Sequence, residues 1–527
     1  MEEPSPPPKR PRRRTAAPTR RPPLFEGADW DFDLLMRIHD AIGEVAVGEM
    51  GLDVYPSQIE IITSEQMLDA YASIGMPLFY RHWSFGKRHA IEQTRYKRGM
   101  SSLAYELVIN SDPCICYCME ENSATMQTLV LAHAAYGHNH FFKNNYLFRE
   151  WTRADAMLDY LDFARRYVAA CEERCGLEAV EDTLDAAHAL MNQGVDRTPK
   201  ARRGQSQTAR EAREAARWRE AEAQYDVLWR TLPTREAVEP ADPEGAREAE
   251  SLGLPEENIL YFLEKFAPRL EPWQRELIRI VRHLAQYFHP QRQTKVMNEG
   301  CATFAHYEIL QRMHDKGLLT DGAMLEALHS HSSVVAQPGF DHPWFRGLNP
   351  YALGYAMMRD IKRICEAPDP EDRQWFPEIA GCGDALGVLK DAWANYRDES
   401  FITQYLSPRL IRELRLFACF DEAEDPEVEV RAIHDEEGYR RIRRVLGRQY
   451  EAGAQDPEIE IVEARLRGNR HLVAEHRVRD GRRLAADGAQ DVVEKLAFLW
   501  GYRVKLREVE AETGELLAEH EALPPAR

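Results

Sequence analysis

No stretch of this 527-residue chain approaches the ~18 consecutive apolar residues of a membrane-spanning helix, and no charged-then-apolar leader opens it. Those two absences predict a cytoplasmic protein without a membrane span. Cysteine is scarce for the length: nine residues, an odd number, without the spacing of a disulfide framework. That excludes a disulfide scaffold and suits reduced thiols. Positive charge is also short, since the formal net charge is −19. Phosphate recognition needs local positive potential, so specific nucleic-acid binding is not expected. A fixed-period repeat is missing too, which excludes a solenoid.

The apolar content of 44% is enough to build ordinary globular cores, and 527 residues exceed what one core organises. Composition divides the chain into five stretches. Residues 1–28 form a basic, proline-rich arm in which Lys9, Arg10, Arg12, Arg13, Arg14, Arg20 and Arg21 outweigh Glu2 and Glu3. With almost nothing apolar to bury, this arm reads as disordered. Residues 29–196 and 253–406 carry helical periodicity, and 197–252 is a charged linker or insert rich in Arg, Glu, Ala and Gln. Residues 407–527 interleave strand-like and helical patterns, the mark of a small α+β module. The fold class expected is α+β: a predominantly helical N-terminal region with a few short strands, then that C-terminal module.

Two segments carry the chemistry. Leu129–Phe142 crowds His133, His138 and His140 into eight residues, and Met297–His306 pairs Glu299 with His306. Imidazoles and a carboxylate on helical segments suit a divalent metal, zinc above all. Helix geometry resists the simplest version. His133 and His138 are five apart, about 140° off a common face at 3.6 residues per turn. A π-bulge or a helix end near Gly137 would relieve this. Glu299 and His306 are seven apart, roughly 10.5 Å along a helix axis, too far to be adjacent ligands of one ion.

Metal ligands are thus sought among His133, His138, His140 and Glu299, with Glu121 and His306 as catalytic candidates. The HExxH signature places its general base between the histidines. Here Ala134, Ala135, Tyr136 and Gly137 stand there instead, so a base must come from Glu120, Glu121 or Glu299. His329 and His331 form another HxH pair, read as a surface turn. Cys114, Cys116 and Cys118 alternate along one expected strand and would share a face as small buried side chains.

Several blocks resemble the SpoVR family (stage V sporulation protein R, YcgB-like proteins). They include HWSFGKR, VINSDPCI, GHNHFFKNN, PQRQTKVMNEG, LLTDGAMLE, NPYALGYAMMRDI and WFPEIAG, spread from about Trp30 to the C-terminus. The arm and the charged insert fall outside the likeness. Where the family pattern places an aromatic after NEG, this chain has Cys301. The resemblance implies a cytoplasmic bacterial protein linked to spore-cortex formation or stress response, with a PrkA-type serine kinase and a YeaH-like protein as partners. Two activities compete: a metal-dependent hydrolase, peptidase- or amidase-like, and a non-catalytic regulatory protein acting with that kinase.

Overall fold

The computed structural model describes residues 22–72, 80, 106–197, 249–343, 345, 347–420, 429–433, 435–451, 456–479 and 481–525. The basic arm up to residue 21, the greater part of the charged insert, and the HWSFGKR block lie outside the described residues. The chain is mostly helical, with short strands in small sheets and a strand-containing C-terminal module, an α+β protein as expected. Two compact units emerge, each discontinuous in sequence. The first comprises Met1–Asp69, Gln93–Asn144 and Asn298–Ala394; the second comprises Ala70–Glu92, Asn145–Met297 and Asn395–Arg527.

In the first unit, β1 (Ser57–Ile62), β2 (Glu106–Ile109) and β3 (Cys114–Met119) form a sheet of order β1-β3-β2. β1 runs parallel and β2 antiparallel to the central β3. Cys114, Cys116 and Cys118 share a face of β3 and are fully buried, as their alternation predicts. Thr63 and Gln66 form a capping box: each residue's side chain accepts from the other's backbone N–H, at 2.9 and 3.2 Å.

Of the two ways past Gly137 that the spacing left open, a π-bulge or a helix end, the chain takes the first. Ser123 caps the helix, its hydroxyl accepting from Met126 N at 3.2 Å, and an α-helical stretch Ala124–Leu131 follows. The chain then widens into a π-helix over Ala132–His138 and resumes α-helix over Asn139–Asn144. Every residue from Val130 to Phe142 is buried, so packing on all sides sustains the turn that local hydrogen bonding alone would favour less.

Close approach in this unit depends on missing side chains. A Cβ on Gly137 would meet Ala302 Cα at 2.6 Å, and one on Gly300 would meet Gly354 Cα at 2.7 Å. The first contact joins the π-helix to the Lys295–Asp315 helix, and the second joins that helix to Pro350–Glu366. These near-touching backbones set the spacing of the three segments that carry the site.

In the second unit, Asn258 caps the Ile259–Phe266 helix through Tyr261 N. Pro255 lies in the bend before it, where Glu256 bridges to Ile461. Asp398 is fully buried and accepts from Val296 N and Met297 N, both at 2.8 Å, at the start of the Lys295–Asp315 helix. That carboxylate satisfies two orphan amides and complements the helix dipole.

A two-stranded pair, β4 (Phe417–Phe420) with β5 (Glu429–Ala432), precedes the C-terminal sheet. That sheet has the order β6 (Ile459–Ala464), β7 (Leu472–Val478), β8 (Val504–Glu510), β9 (Leu516–Ala522). β6–β7 is an antiparallel hairpin around Gly468, at φ +66°. β7 and β8 run parallel, so the chain must cross over, and the Ala486–Trp500 helix does so with Val493, Leu496 and Trp500 fully buried. β8 is an inner strand. β9 takes the edge, where alternating exposed polar residues concealed it.

Candidate metal centre

The π-helix answers the spacing objection. Its wider turn brings i and i+5 onto one face, and the rings of His133 and His138 lie 4.6 Å apart between centroids. Glu299, in the first turns of the Lys295–Asp315 helix, faces both. Its Oε2 is 3.4 Å from His138 Nε2 and 3.9 Å from His133 Nε2, and the three donor atoms lie within 4.8 Å of one another. Ligands held by ~2.0–2.1 Å bonds on a tetrahedron sit roughly 3.3–3.4 Å apart, so the two imidazole–carboxylate gaps are already close to those of ligands sharing a cation.

Orientation of the rings is built in. His138 Nδ1 lies 2.9 Å from Asn298 Oδ1, which directs Nε2 towards Glu299, and the ring stacks on Phe142. His133 uses its two nitrogens in opposite directions. Nε2 faces the carboxylates, while Nδ1 pairs with His306 Nδ1 at 2.9 Å. His306 Nε2 in turn pairs with His331 Nδ1 at 2.9 Å. His306 therefore stands behind His133, consistent with its seven-residue separation from Glu299.

Glu299 Oε2 is buried without a hydrogen-bond partner. A buried anionic oxygen left this way costs free energy unless a cation completes it. Burial opposes ionisation of Glu299, but His138, His133 and Tyr351 outweigh it and hold the carboxyl below its ordinary value. For His133, burial favours the neutral ring, yet Glu299 and Glu106 prevail and hold its pKa above the usual histidine value. Burial pushes His138 and His331 down to about 4 and His306 well below its ordinary value. The cluster is thus one carboxylate, one proton-seeking imidazole and three imidazoles that burial keeps neutral.

Two predicted residues do not join. His140 Nδ1 lies 2.9 Å from Asp53 O, and its ring packs edge-on against Trp393. Glu121 accepts from Ser64 N at 3.2 Å, at the end of the β3 strand, and is exposed. Two others were missed. Glu106 Oε1 lies 3.7 Å from His133 Nε2, and burial raises its pKa. A lone acid leading the apolar strand Glu106–Ile109 was its sequence signal. His331, read as part of a surface turn, is buried at the end of the imidazole chain. Its HxH spacing carried no hint of that.

A mostly helical protein in which two buried histidines and a glutamate converge as a group able to hold a metal ion is the class that fold and site define. The family model for SpoVR-like proteins matches residues 29–455, and the model for the SpoVR-like C-terminal domain matches 457–511. The chain belongs to the SpoVR family. It is 51% identical over 485 residues to the uncharacterized protein YcgB of Escherichia coli (strain K12), covering 92% of this chain and 94% of that protein. No solved structure matches it. No helix among the described residues is long and apolar enough to cross a membrane.

Proposed function

We propose that this protein binds one divalent metal through His133, His138 and Glu299 and works in the cytoplasm as a metal-dependent hydrolase of peptide- or amide-type bonds. The observation that carries the reading is convergence. Two imidazole nitrogens and a carboxylate oxygen lacking a hydrogen bond, drawn from segments 160 positions apart, point at one another. Two imidazoles and a carboxylate suit zinc in hydrolases, and the same triad also holds ferrous iron. When bound, such an ion supplies Lewis-acid polarisation of a carbonyl and of water.

The remaining residues have separable roles. Glu106, buried beside His133 with a raised pKa, is placed to take and return a proton during hydrolysis. Tyr351, whose ring stacks against His133, favours the charged form of Glu299. His306 sets the tautomer of His133: with Nε2 given to a cation, Nδ1 keeps the proton and donates to His306 Nδ1. His306 then carries its own proton on Nε2 and donates to His331 Nδ1.

Elemental analysis of the purified protein tests this. About one equivalent of zinc or iron per chain is expected, lost in His138→Ala and Glu299→Gln. Glu106→Gln should keep the metal and lose hydrolysis of amide substrates. Protein free of stoichiometric metal, or metal retained in the His138→Ala/Glu299→Gln double variant, overturns the reading.

Family membership also supports the process-level part of the proposal, a role in sporulation or stress response alongside a PrkA-type kinase and a YeaH-like protein. Co-purification of those partners from cells checks it independently of the metal. A purely regulatory protein would keep the same partners when Glu299→Gln has removed the ion and would show no amide hydrolysis.

A further inference from the structure

Outside the metal cluster, two thiols of the first unit meet. Cys365 lies in the last turn of the Pro350–Glu366 helix and is buried, while Cys382 sits in the exposed turn Gly381–Gly383. Backbone hydrogen bonds hold that turn against the helix end. Gly381 N donates to Ile364 O and Gly383 N donates to Cys365 O, both at 3.0 Å, so the two bonds bracket Cys382. The two side chains interact electrostatically. Disulfides join residues whose Cα atoms are about 4.4–6.8 Å apart, and the paired backbone bonds hold Cys382 beside the helix end that carries Cys365.

We propose that Cys365 and Cys382 form a reversible disulfide under peroxide stress, with Cys382 the sulfur attacked first and Cys365 the resolving thiol. Solvent access selects Cys382, because among the described cysteines it is the exposed one, and the others are buried or half-buried. Its sulfur attacks one oxygen of hydrogen peroxide, the O–O bond breaks, and sulfenic acid and water result. Cys365 sulfur then attacks the sulfenic sulfur. The S–O bond breaks, hydroxide leaves with the Cys365 proton as a second water, and the S–S bond forms. Two thiols lose two electrons and two protons in total, and one peroxide gains them.

The neighbourhood explains why the pair stays reduced otherwise. Burial, Cys382 itself, Asp384 and Glu366 push the Cys365 thiol up to about 12, so it is inert until a sulfenic partner is held against it. Contact then replaces nucleophilicity, since a positioned neighbour reacts as if at very high concentration. Cys171 and Cys175 offer an internal contrast. They lie one helical turn apart within Ala154–Cys175, where both side chains leave the same cylinder and backbone geometry opposes a bridge.

Full-length wild type, Cys365→Ser and Cys382→Ser, exposed to hydrogen peroxide, alkylated, digested and weighed by mass spectrometry, test the assignment. The expected result is a Cys365–Cys382 linked peptide in wild type, at least tenfold more abundant than any other cysteine pairing and removed by dithiothreitol. Cys382→Ser should abolish it, and Cys365→Ser should leave Cys382 trapped as sulfenic acid by dimedone. A melting curve like wild type's for Cys365→Ser shows that the variant is folded. Cys382 proceeding to sulfinic acid in wild type without the linked peptide overturns the proposal, as does Cys382 linked to a different cysteine or unmodified.

Discussion

Glu264 and Glu299 are both buried glutamates on helices, and the difference between them separates support from chemistry. Glu264, whose side chain is 1% exposed, meets Lys265 at 2.8 Å and Arg279 and Arg282 at 3.0 Å. Those cations are permanent, and they hold its carboxyl below the ordinary value against the opposing effect of burial. Glu299 instead faces imidazoles, which carry charge only when protonated, at 3.4 and 3.9 Å. One carboxylate is satisfied by side chains that cannot give up their charge. The other is surrounded by ligands that can exchange a proton for a metal ion.

The widest separation between the two should appear in metal content. Glu299→Gln removes the anionic ligand while keeping the shape, and metal affinity is expected to fall by at least 100-fold, read by competition with a colorimetric chelator. Glu264→Gln should leave metal content unchanged. It should instead lower unfolding free energy by about 3 kcal/mol, the lower end of the cost of breaking a buried pair, because Lys265 and Arg279 are part-exposed. Reversal of this pattern would mean that the comparison assigns the wrong carboxylate to each role.

Backbone spacing sharpens the contrast next. In Gly300→Ala the new methyl must push apart backbones that would stand 2.7 Å from it, and in Gly137→Ala the figure is 2.6 Å. Neither neighbour is a flexible side-chain tip, so each variant is expected to lose about 1–3 kcal/mol by chemical denaturation. Metal affinity should fall together with stability, since Glu299 and His138 adjoin these glycines. Asp398→Asn acts at the start of the same helix. Loss of the charged acceptor for Val296 N and Met297 N should cost about 1–2 kcal/mol, again visible in denaturant unfolding.

Acidity separates the two carboxylates in another way. His138, His306 and His331 have folded-state pKa values below that of an unfolded histidine, because burial opposes their charge. Between the unfolded value near 6.5 and about 4 the unfolded chain binds more protons, so stability rises with pH across that window and is lost as pH falls. His133 works in the opposite sense. Its raised pKa favours the protonated folded form, and that contribution is lost as pH climbs through the folded value. Urea unfolding of metal-free protein from pH 8 to 4 should show a decline dominated by the three neutral rings. In the Glu299→Gln variant, the opposing contribution of His133 should shrink. Metal affinity should also weaken on acidification, because the proton on His133 competes with the ion.

Much of this arrangement was legible in residue spacing, and what was not has identifiable causes. The capping pair Thr63/Gln66, the cysteine strand and the β6–β7 hairpin announced themselves through local rules that act within a few residues. The histidine pair looked wrong for one ion because a regular helix was the reference, and the five-residue spacing becomes informative only once a π-turn is admitted. Glu106 and His331 join the cluster through tertiary packing, from a strand and a helix whose own patterns speak only of burial. Gly137, Gly300 and Gly354 could be read as helix stops or weak points. Their use as contact surfaces depends on partners far away in sequence.

The smallest effect on metal is expected at the histidine that spacing alone ranked with the others. His140 is two residues beyond His138, but the return to α-helix after the π-turn carries its ring to a different side. There Asp53 N donates to its Nδ1 at 3.0 Å, and Trp393 covers the ring. Burial lowers its pKa, consistent with a neutral ring used for packing. His140→Gln should leave metal stoichiometry and affinity within twofold of wild type, while loss of the Asp53 contact and the ring costs about 1–2 kcal/mol in thermal or urea unfolding. Metal loss in this variant, with the fold intact by circular dichroism, would make His140 a ligand and break the separation between helix packing and ion binding drawn along this segment.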